Sequence, residues 1–264
     1  MNTGTKLRVV GVVGVTGTSG RLPAKATKDF CGRPLAAWTV LQMVSSHLID
    51  EAYVIGDSTG ALREETEALG AVWWQRPEVL EHPIEDSGGI PTRWGVEQAA
   101  KFGGPISIVL PLLLTNPLRK PDDFDNAIKM LVGAMGATDR RTVPPVIMSA
   151  SVTEFGFFET VGESDPVVAS PVGSRWINTE SHRLQAISTI GAQSYSNYMA
   201  HVHLSSLLLP DSERPTPRCY IYPVEWWQQV HIDDQDQFDL AEFWMRKKIL
   251  IEGDEYERYA KSTE

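Results

Sequence analysis

The chain of 264 residues carries 24 basic against 34 acidic side chains, a formal net charge of -10. That balance excludes a broad nucleic-acid surface, which needs a basic stripe to neutralise phosphates, but leaves room for a local basic pocket around an anionic small molecule. Hydrophobic residues at 42% and charged residues at 22% describe an ordinary globular chain with a sizeable core, and Cys31 and Cys219 are too few for a disulfide framework or a cysteine zinc site, so a reducing cytoplasm is expected.

In chain order, Leu7–Val15 is a nearly continuous β-branched run, too short to span a bilayer and without a cleavage signature, and it reads as a strand buried on both faces. Pro34–Ile49 has apolar residues at helical spacing with a proline in its first turn. EAYVIGD is a second strand, TGALREETEALG a helix closed by Gly70, and AVWWQRP a third strand. A helix in GIPTRWGVEQAAKFGG, a strand in ISIVLPLLL, a helix in KPDDFDNAIKMLVGAMG and a strand in VPPVIMSASV continue the alternation. This beat predicts an α/β fold with a doubly wound, mostly parallel sheet. Between residues 153 and 206 aromatics, Gly and Ser replace it, which predicts a small β-rich lobe within one domain spanning 1–264. The chain then returns to the main sheet and closes with an amphipathic helix over Asp236–Leu250.

The loop after the first strand, TGTSGRLPAKATKDFCGRPL, carries Gly, Thr, Ser, Arg21 and Lys25. Its glycines recur every third residue, so it matches neither the dinucleotide fingerprint nor the Walker pattern. No helix starts directly after the glycines, and the loop stays over the carboxyl ends of the strands. Backbone N–H groups, hydroxyls and two cations there suit a triphosphate; a plain flexible connection fits the residues as well.

That stretch resembles the signature of the cytidylyltransferases that make CMP-activated acid sugars, the CMP-sialic acid synthetases and their relatives. Their loop runs A-R-G-G-S-K-R-x-P-x-K-N, then G-K-P-L and a helix. The likeness continues in order. EAYVIGDST matches their second strand with Asp57 at its end, AVWWQRPEVL the segment with R-P near the cytosine, and VLPLLLTNPLRKPDDFDNAI the motif L-Q-P-T-S-P-L-R. MSASVTEF matches S-V-S-V-T-E, and HIDDQDQFDLAEF matches D-I-D-T-P-E-D-F-x-L-A-E. The resemblance implies a Rossmann-like nucleotidyltransferase with a small lobe exchanging contacts across a homodimer. It also implies CTP and an acidic small-molecule acceptor as substrates, a magnesium ion, and release of pyrophosphate. Carried over by position, Thr16, Gly17, Thr18, Ser19, Arg21 and Lys25 hold the triphosphate. Arg76 lies near the base, and Thr115, Asn116 and Arg119 shape the acceptor side. Lys25, Arg21 and Asp233 form the catalytic set. Neither nucleic acid nor membrane is expected as a partner.

The departures fall within these motifs. The family's loop arginine and lysine are Thr16 and Gly20 here, and the asparagine after its second lysine is Ala26. Its glutamine and proline before T-S are Leu113 and Leu114, which removes a hydrogen-bonding side chain from the acceptor side and points to a changed acceptor. The first aspartate of D-I-D is His231, while Asp233 stays. On an extended segment residues i and i+2 share a face, so the two can share one ion, and an imidazole shifts preference from magnesium toward manganese or zinc. Alternatively, Asp233 acts with Asp234 and water, or the acidic cluster caps the following helix, with Asp234 and Gln237 as a capping box. His201 and His203 read as structural or pocket residues. One member of each pair Trp73–Trp74 and Trp226–Trp227 reads as core, Phe157 and Phe158 as lobe packing, and Asp86 and Ser87 as a helix cap. The leading function is CTP-dependent cytidylyl transfer. The competing one is a nucleotide-binding or scaffolding homologue that has lost turnover.

Overall fold

The computed structural model describes residues 7–15, 22–57, 60–76, 89–120, 122–135, 146–149, 158–160, 168–171, 185–189 and 219–251. Its first strand, β1 (Val9–Val15), sends Val9, Val13 and Val15 to one core and Val10 and Val12 to another. Both faces are therefore covered, as the unbroken apolar run predicts. Gly11 marks the tightest approach, since a Cβ there would lie 2.5 Å from Met43 Sδ.

A two-residue hairpin follows, β2 (Asp29–Phe30) and β3 (Arg33–Pro34). Cys31 and Gly32 form its turn with φ of 52° and 88°, the paired positive values of a type I′ turn. Next come α1 (Leu35–Val44), β4 (Glu51–Gly56), α2 (Gly60–Ala68), β5 (Val72–Gln75), α3 (Gly89–Gly103), β6 (Ile108–Leu112) and α4 (Asp123–Met135). β4 and β6 flank β1 and β5 lies outside β4, all parallel. Helices α1 and α4 pack on the Val9–Val13 face with Leu35, Leu41, Phe124, Ile128 and Leu131; α3 covers the other face with Val96 and Ala99. The doubly wound arrangement predicted from the alternation is thus present.

The remaining described strands are β7 (Val146–Ser149), β8 (Phe158–Thr160), β9 (Val168–Pro171), β10 (Gln185–Thr189) and β11 (Cys219–Pro223). They extend the sheet to the order β5-β4-β1-β6-β10-β7-β11-β9-β8. β10 runs antiparallel between β6 and β7, while β11 is parallel to β7. Pro111 lies past the β6 residues that pair with β10, so its missing N–H is not asked for on that side. The three described strands between residues 153 and 206 pair within this sheet. Phe157, Asp86, Ser87, His201 and His203 lie outside the described residues.

Two helix boundaries differ from the sequence reading. α1 stops at Val44 rather than continuing to Ile49 because Asp125 of α4 captures the next turn, accepting from Ser46 Oγ at 2.5 Å and from the backbone N–H of His47 and Leu48. The last helix, α5 (Gln235–Trp244), begins one residue earlier and passes into a π-helical turn over Met245–Ile249. No helix among the described residues is long and apolar enough to cross a membrane.

Candidate active site

In a sheet of this order the chain leaves β1 toward β4 on one side and returns to β6 on the other, so the crevice for a ligand opens beyond the carboxyl ends of β1 and β6. Three segments converge around those ends. The first is the turn Lys25–Thr27, which follows Ala24 at φ 52°. The second is the loop 113–119 after β6, and the third is the extended stretch Val230–Asp234 before α5. The hairpin anchors the first segment to α5: Cys31 N–H donates to Glu242 Oε1 at 2.8 Å, and the Phe30 and Phe238 rings meet edge to face at 5.3 Å. A backbone bond from Ile232 N–H to the Thr115 carbonyl at 2.8 Å joins the other two.

The predicted residues that these segments bring together are Lys25, Asn116, His231 and Asp233. Lys25 Nζ donates to the Ile232 carbonyl at 2.6 Å and lies 3.5 Å from Asp233 Oδ1. His231 is 4% exposed, with Nε2 at 3.4 Å from the same Asp233 oxygen and Nδ1 at 3.2 Å from Asn116 Oδ1. The Asn116 amide nitrogen faces the Val230 carbonyl at 3.4 Å. Gln237 closes the arrangement from α5 by accepting from Asp233 N–H at 2.6 Å. Asp234 caps that helix and completes the predicted box with Gln237.

Arg119 is placed differently. It is 1% exposed, and its guanidinium donates to Thr39 Oγ1 at 3.3 Å, to Gln42 Oε1 and to the Leu113 carbonyl at 2.7 Å. Gln42 in turn donates to the Pro117 carbonyl at 2.6 Å, so α1 holds the 113–119 loop through two side chains. The Thr115 hydroxyl, in the same loop, is buried and has no hydrogen-bond partner among the described residues. Arg76 follows the end of β5, two strands from β1, its N–H bonded to the Gly56 carbonyl at 2.9 Å. Thr16, Gly17, Thr18, Ser19 and Arg21 lie outside the described residues.

Behind the loop a second polar knot holds its far end. Asp123 accepts from Lys120 N–H and Gln228 Nε2, each at 2.7 Å, and from the Tyr222 hydroxyl at 3.2 Å. Burial pushes the Asp123 carboxyl above its ordinary range against the pull of these donors. The tryptophan pairs divide as expected: Trp73 and Trp227 are buried, at 6% and 2% exposed, and Trp226 is 68% exposed.

His231 and Asp233 supply one nitrogen and one carboxylate donor whose 3.4 Å separation suits cis ligands of a single ion, for bonds of about 2.0–2.2 Å to each. Among the described residues no group of three His, Cys, Asp or Glu side chains gathers around an ion. One imidazole nitrogen and one carboxylate oxygen at this separation are a donor pair that a divalent cation accepts. The contact of Asn116 with His231 had no sequence signal, because residues 115 positions apart are brought together by tertiary contacts such as the Thr115–Ile232 backbone bond.

No protein-family model matches the chain. The CMP-N,N'-diacetyllegionaminic acid synthase of Legionella pneumophila is 27% identical over 126 residues, 47% of this chain and 53% of that protein. The chain thus spans about half the length of the curated relative it matches. Among solved structures, the CMP:2-keto-3-deoxy-manno-octonic acid synthetase complexed with CTP superposes with a TM-score of 0.58 at 16% identity, covering 92% of this chain and 100% of that one. The chain has the cytidylyltransferase fold. A cytidylyltransferase from Leptospira borgpetersenii agrees, with a TM-score of 0.57 at 13% identity over 97% of this chain and 94% of that one. In this cytidylyltransferase fold the Lys25–His231–Asp233 cluster sits at the carboxyl edge of the parallel strands, where the topology opens its crevice.

Proposed function

We propose that the protein is a CTP-dependent cytidylyltransferase that joins CMP to an acidic sugar or related small acid and releases pyrophosphate. The observation that carries this reading is the meeting of Lys25 and Asp233 beyond β1 and β6, one cation and one carboxylate from opposite ends of the chain. An acceptor hydroxyl attacks the α-phosphorus and gives its proton to solvent; the bond to the bridging oxygen breaks, and pyrophosphate leaves with that electron pair. Positioning and charge stabilisation supply the catalysis. Lys25 turns from the Ile232 carbonyl to the phosphates, and the resemblance gives Arg21 and residues 16–19 the same ligand. Arg76 serves the base, and Thr115 and Asn116 the acceptor side. Asp233 and His231 hold magnesium or manganese, which neutralises charge on the triphosphate when bound. Arg119 orders the loop from within. Leu113 and Leu114, where the family pattern has Gln and Pro, suit an acceptor with fewer hydroxyls to satisfy. A homodimer in the cytoplasm completes the proposal. A scaffold that has lost turnover is the weaker reading, because the cation and carboxylate remain in contact.

The test is calorimetric CTP binding together with pyrophosphate release, run with magnesium and with manganese across keto-acid sugars and simpler phosphonates. Lys25→Ala should weaken CTP binding by about tenfold or more, the equivalent of one charge-assisted hydrogen bond. Unchanged affinity removes Lys25 from the triphosphate site. His231→Asp should move the metal optimum toward magnesium, and identical metal profiles for both proteins would remove His231 as a ligand.

A further inference from the structure

The two ring nitrogens of His231 meet different neighbours. Asn116 presents its amide oxygen to Nδ1 at 3.2 Å, and Asp233 presents a carboxylate oxygen to Nε2 at 3.4 Å. The other end of the Asn116 amide agrees with this orientation: Nδ2 faces the Val230 carbonyl at 3.4 Å, where an N–H is favourable. An amide oxygen can only accept, so Nδ1 carries the proton, and a neutral imidazole then has a lone pair on Nε2. In that neutral form the lone pair faces Asp233 Oδ1, which Lys25 Nζ also approaches at 3.5 Å, and a cation between nitrogen and carboxylate would be attracted by both.

We propose that Asn116 is a positioning residue that fixes His231 in the Nδ1–H form, so that Nε2 serves as a nitrogen ligand beside Asp233 and the site favours manganese-like cations over magnesium. This rests on the metal-ligand reading of His231 and Asp233 above, and it goes further by assigning the device that makes the histidine a ligand. Metal-binding histidines commonly donate their second ring N–H to an oxygen that sets ring orientation and tautomer. Here the supporting oxygen is held rigidly. Asn116 is 4% exposed and lies next to the Thr115–Ile232 backbone bond, in the loop that Arg119 and Gln42 pin to α1. The family pattern has Ser at the position of Asn116 and Asp at that of His231. The two departures touch each other: a carboxylate ligand needs no tautomer fixed, whereas an imidazole does, and a serine Oγ stops short of where the Asn116 amide oxygen sits.

The first test needs no variant. Long-range nitrogen–proton correlation spectra of the intact chain at pH 9, where imidazoles are neutral, report which His231 nitrogen bears the proton; His231→Asp assigns the signal. An Nδ1–H ring is expected. An Nε2–H ring, or one still doubly protonated, overturns the proposal. The second test titrates manganese and magnesium into nucleotide-free protein, by electron paramagnetic resonance for manganese and by calorimetry for both. Asn116→Ala should lose about tenfold to hundredfold in manganese affinity with little change for magnesium, the usual cost of removing a ligand's supporting partner. Equal manganese affinity for Asn116→Ala and the parent overturns the proposal. If the parent chain fails to release pyrophosphate from CTP with either metal, the transferase reading fails while these two results stand. If it turns over CTP but Asn116→Ala keeps its manganese affinity, only the positioning role falls.

Discussion

A guanidinium taken out of water must have its donors met, and what happens when it is removed tells whether it serves the fold or a ligand. Arg119 donates to Thr39, Gln42 and the Leu113 carbonyl and lies 5.5 Å over the Phe124 ring, with 1% of its surface exposed. Arg119→Met would leave the Leu113 carbonyl and the Gln42 amide oxygen short of a donor inside the protein. The expected loss is about 3 kcal/mol, read as a lower urea midpoint, since each stranded buried polar group costs about 1–3 kcal/mol. Arg119→Lys should recover only part of it, because one ammonium cannot reproduce the planar fork. Unchanged stability with weakened acceptor binding would instead put the side chain in the substrate pocket. Thr39 and Gln42 of α1 carried no signal, whereas Leu113 and Arg119 were legible in the sequence through the motif they share. Their orientation was not, because nothing local tells whether an arginine in a loop faces the crevice or the helix behind it.

At the scale of elements, α5 ties its own start to the site. Asp234 accepts from Gln237 N–H at 2.9 Å, while the Gln237 side chain accepts from Asp233 N–H. Asp234→Ala should lower stability by about 1 kcal/mol, the ordinary value of an N-cap. It should also weaken manganese binding, because the cap fixes the backbone of Asp233; a stability loss with unchanged metal affinity would confine Asp234 to capping. This capping box could be read directly from the spacing of Asp234 and Gln237. The end of α1 could not: apolar periodicity runs on through Leu48 and Ile49, and what stops the helix is Asp125, a residue that reads locally as an acid in the first turn of α4. Local signals place elements well, and side chains borrowed from another element move their ends.

Across the whole molecule, one cluster clasps the start of β1 to β4 and to the end of α3. Arg8 donates through two nitrogens to the Glu51 carboxylate, each at 2.7 Å, and through Nη1 to the carbonyls of Ala99 and Gly104. The Tyr53 hydroxyl bonds to the same carboxylate, and burial with that bond pushes the phenol up to about 12. The hydrogen bond from Arg8 holds Glu51 below the usual carboxylate range. A lowered carboxylate stabilises the fold above its unfolded value and loses that contribution as pH falls through the folded one. Parent and Glu51→Gln should therefore differ most near neutral pH and converge on acidification below about pH 4. A gap in denaturant midpoint that stays constant with pH would mean the carboxylate is not held by charge. The parallel half of the sheet was legible from its alternating strands and helices. The insertion of Gln185–Thr189 between β6 and β7 was not, because strand order is decided by pairings between distant segments that leave no local mark.

The contact between Lys25 and Asp233 joins residues 208 positions apart. Chains are made from the amino end at roughly 5–20 residues per second, and early segments fold while later ones are still being added. On the ribosome Lys25 is therefore made long before its carboxylate partner exists. The Lys25–Asp233 contact is thus one of the last this polypeptide can form, and its presence certifies that two segments made far apart in time have found each other.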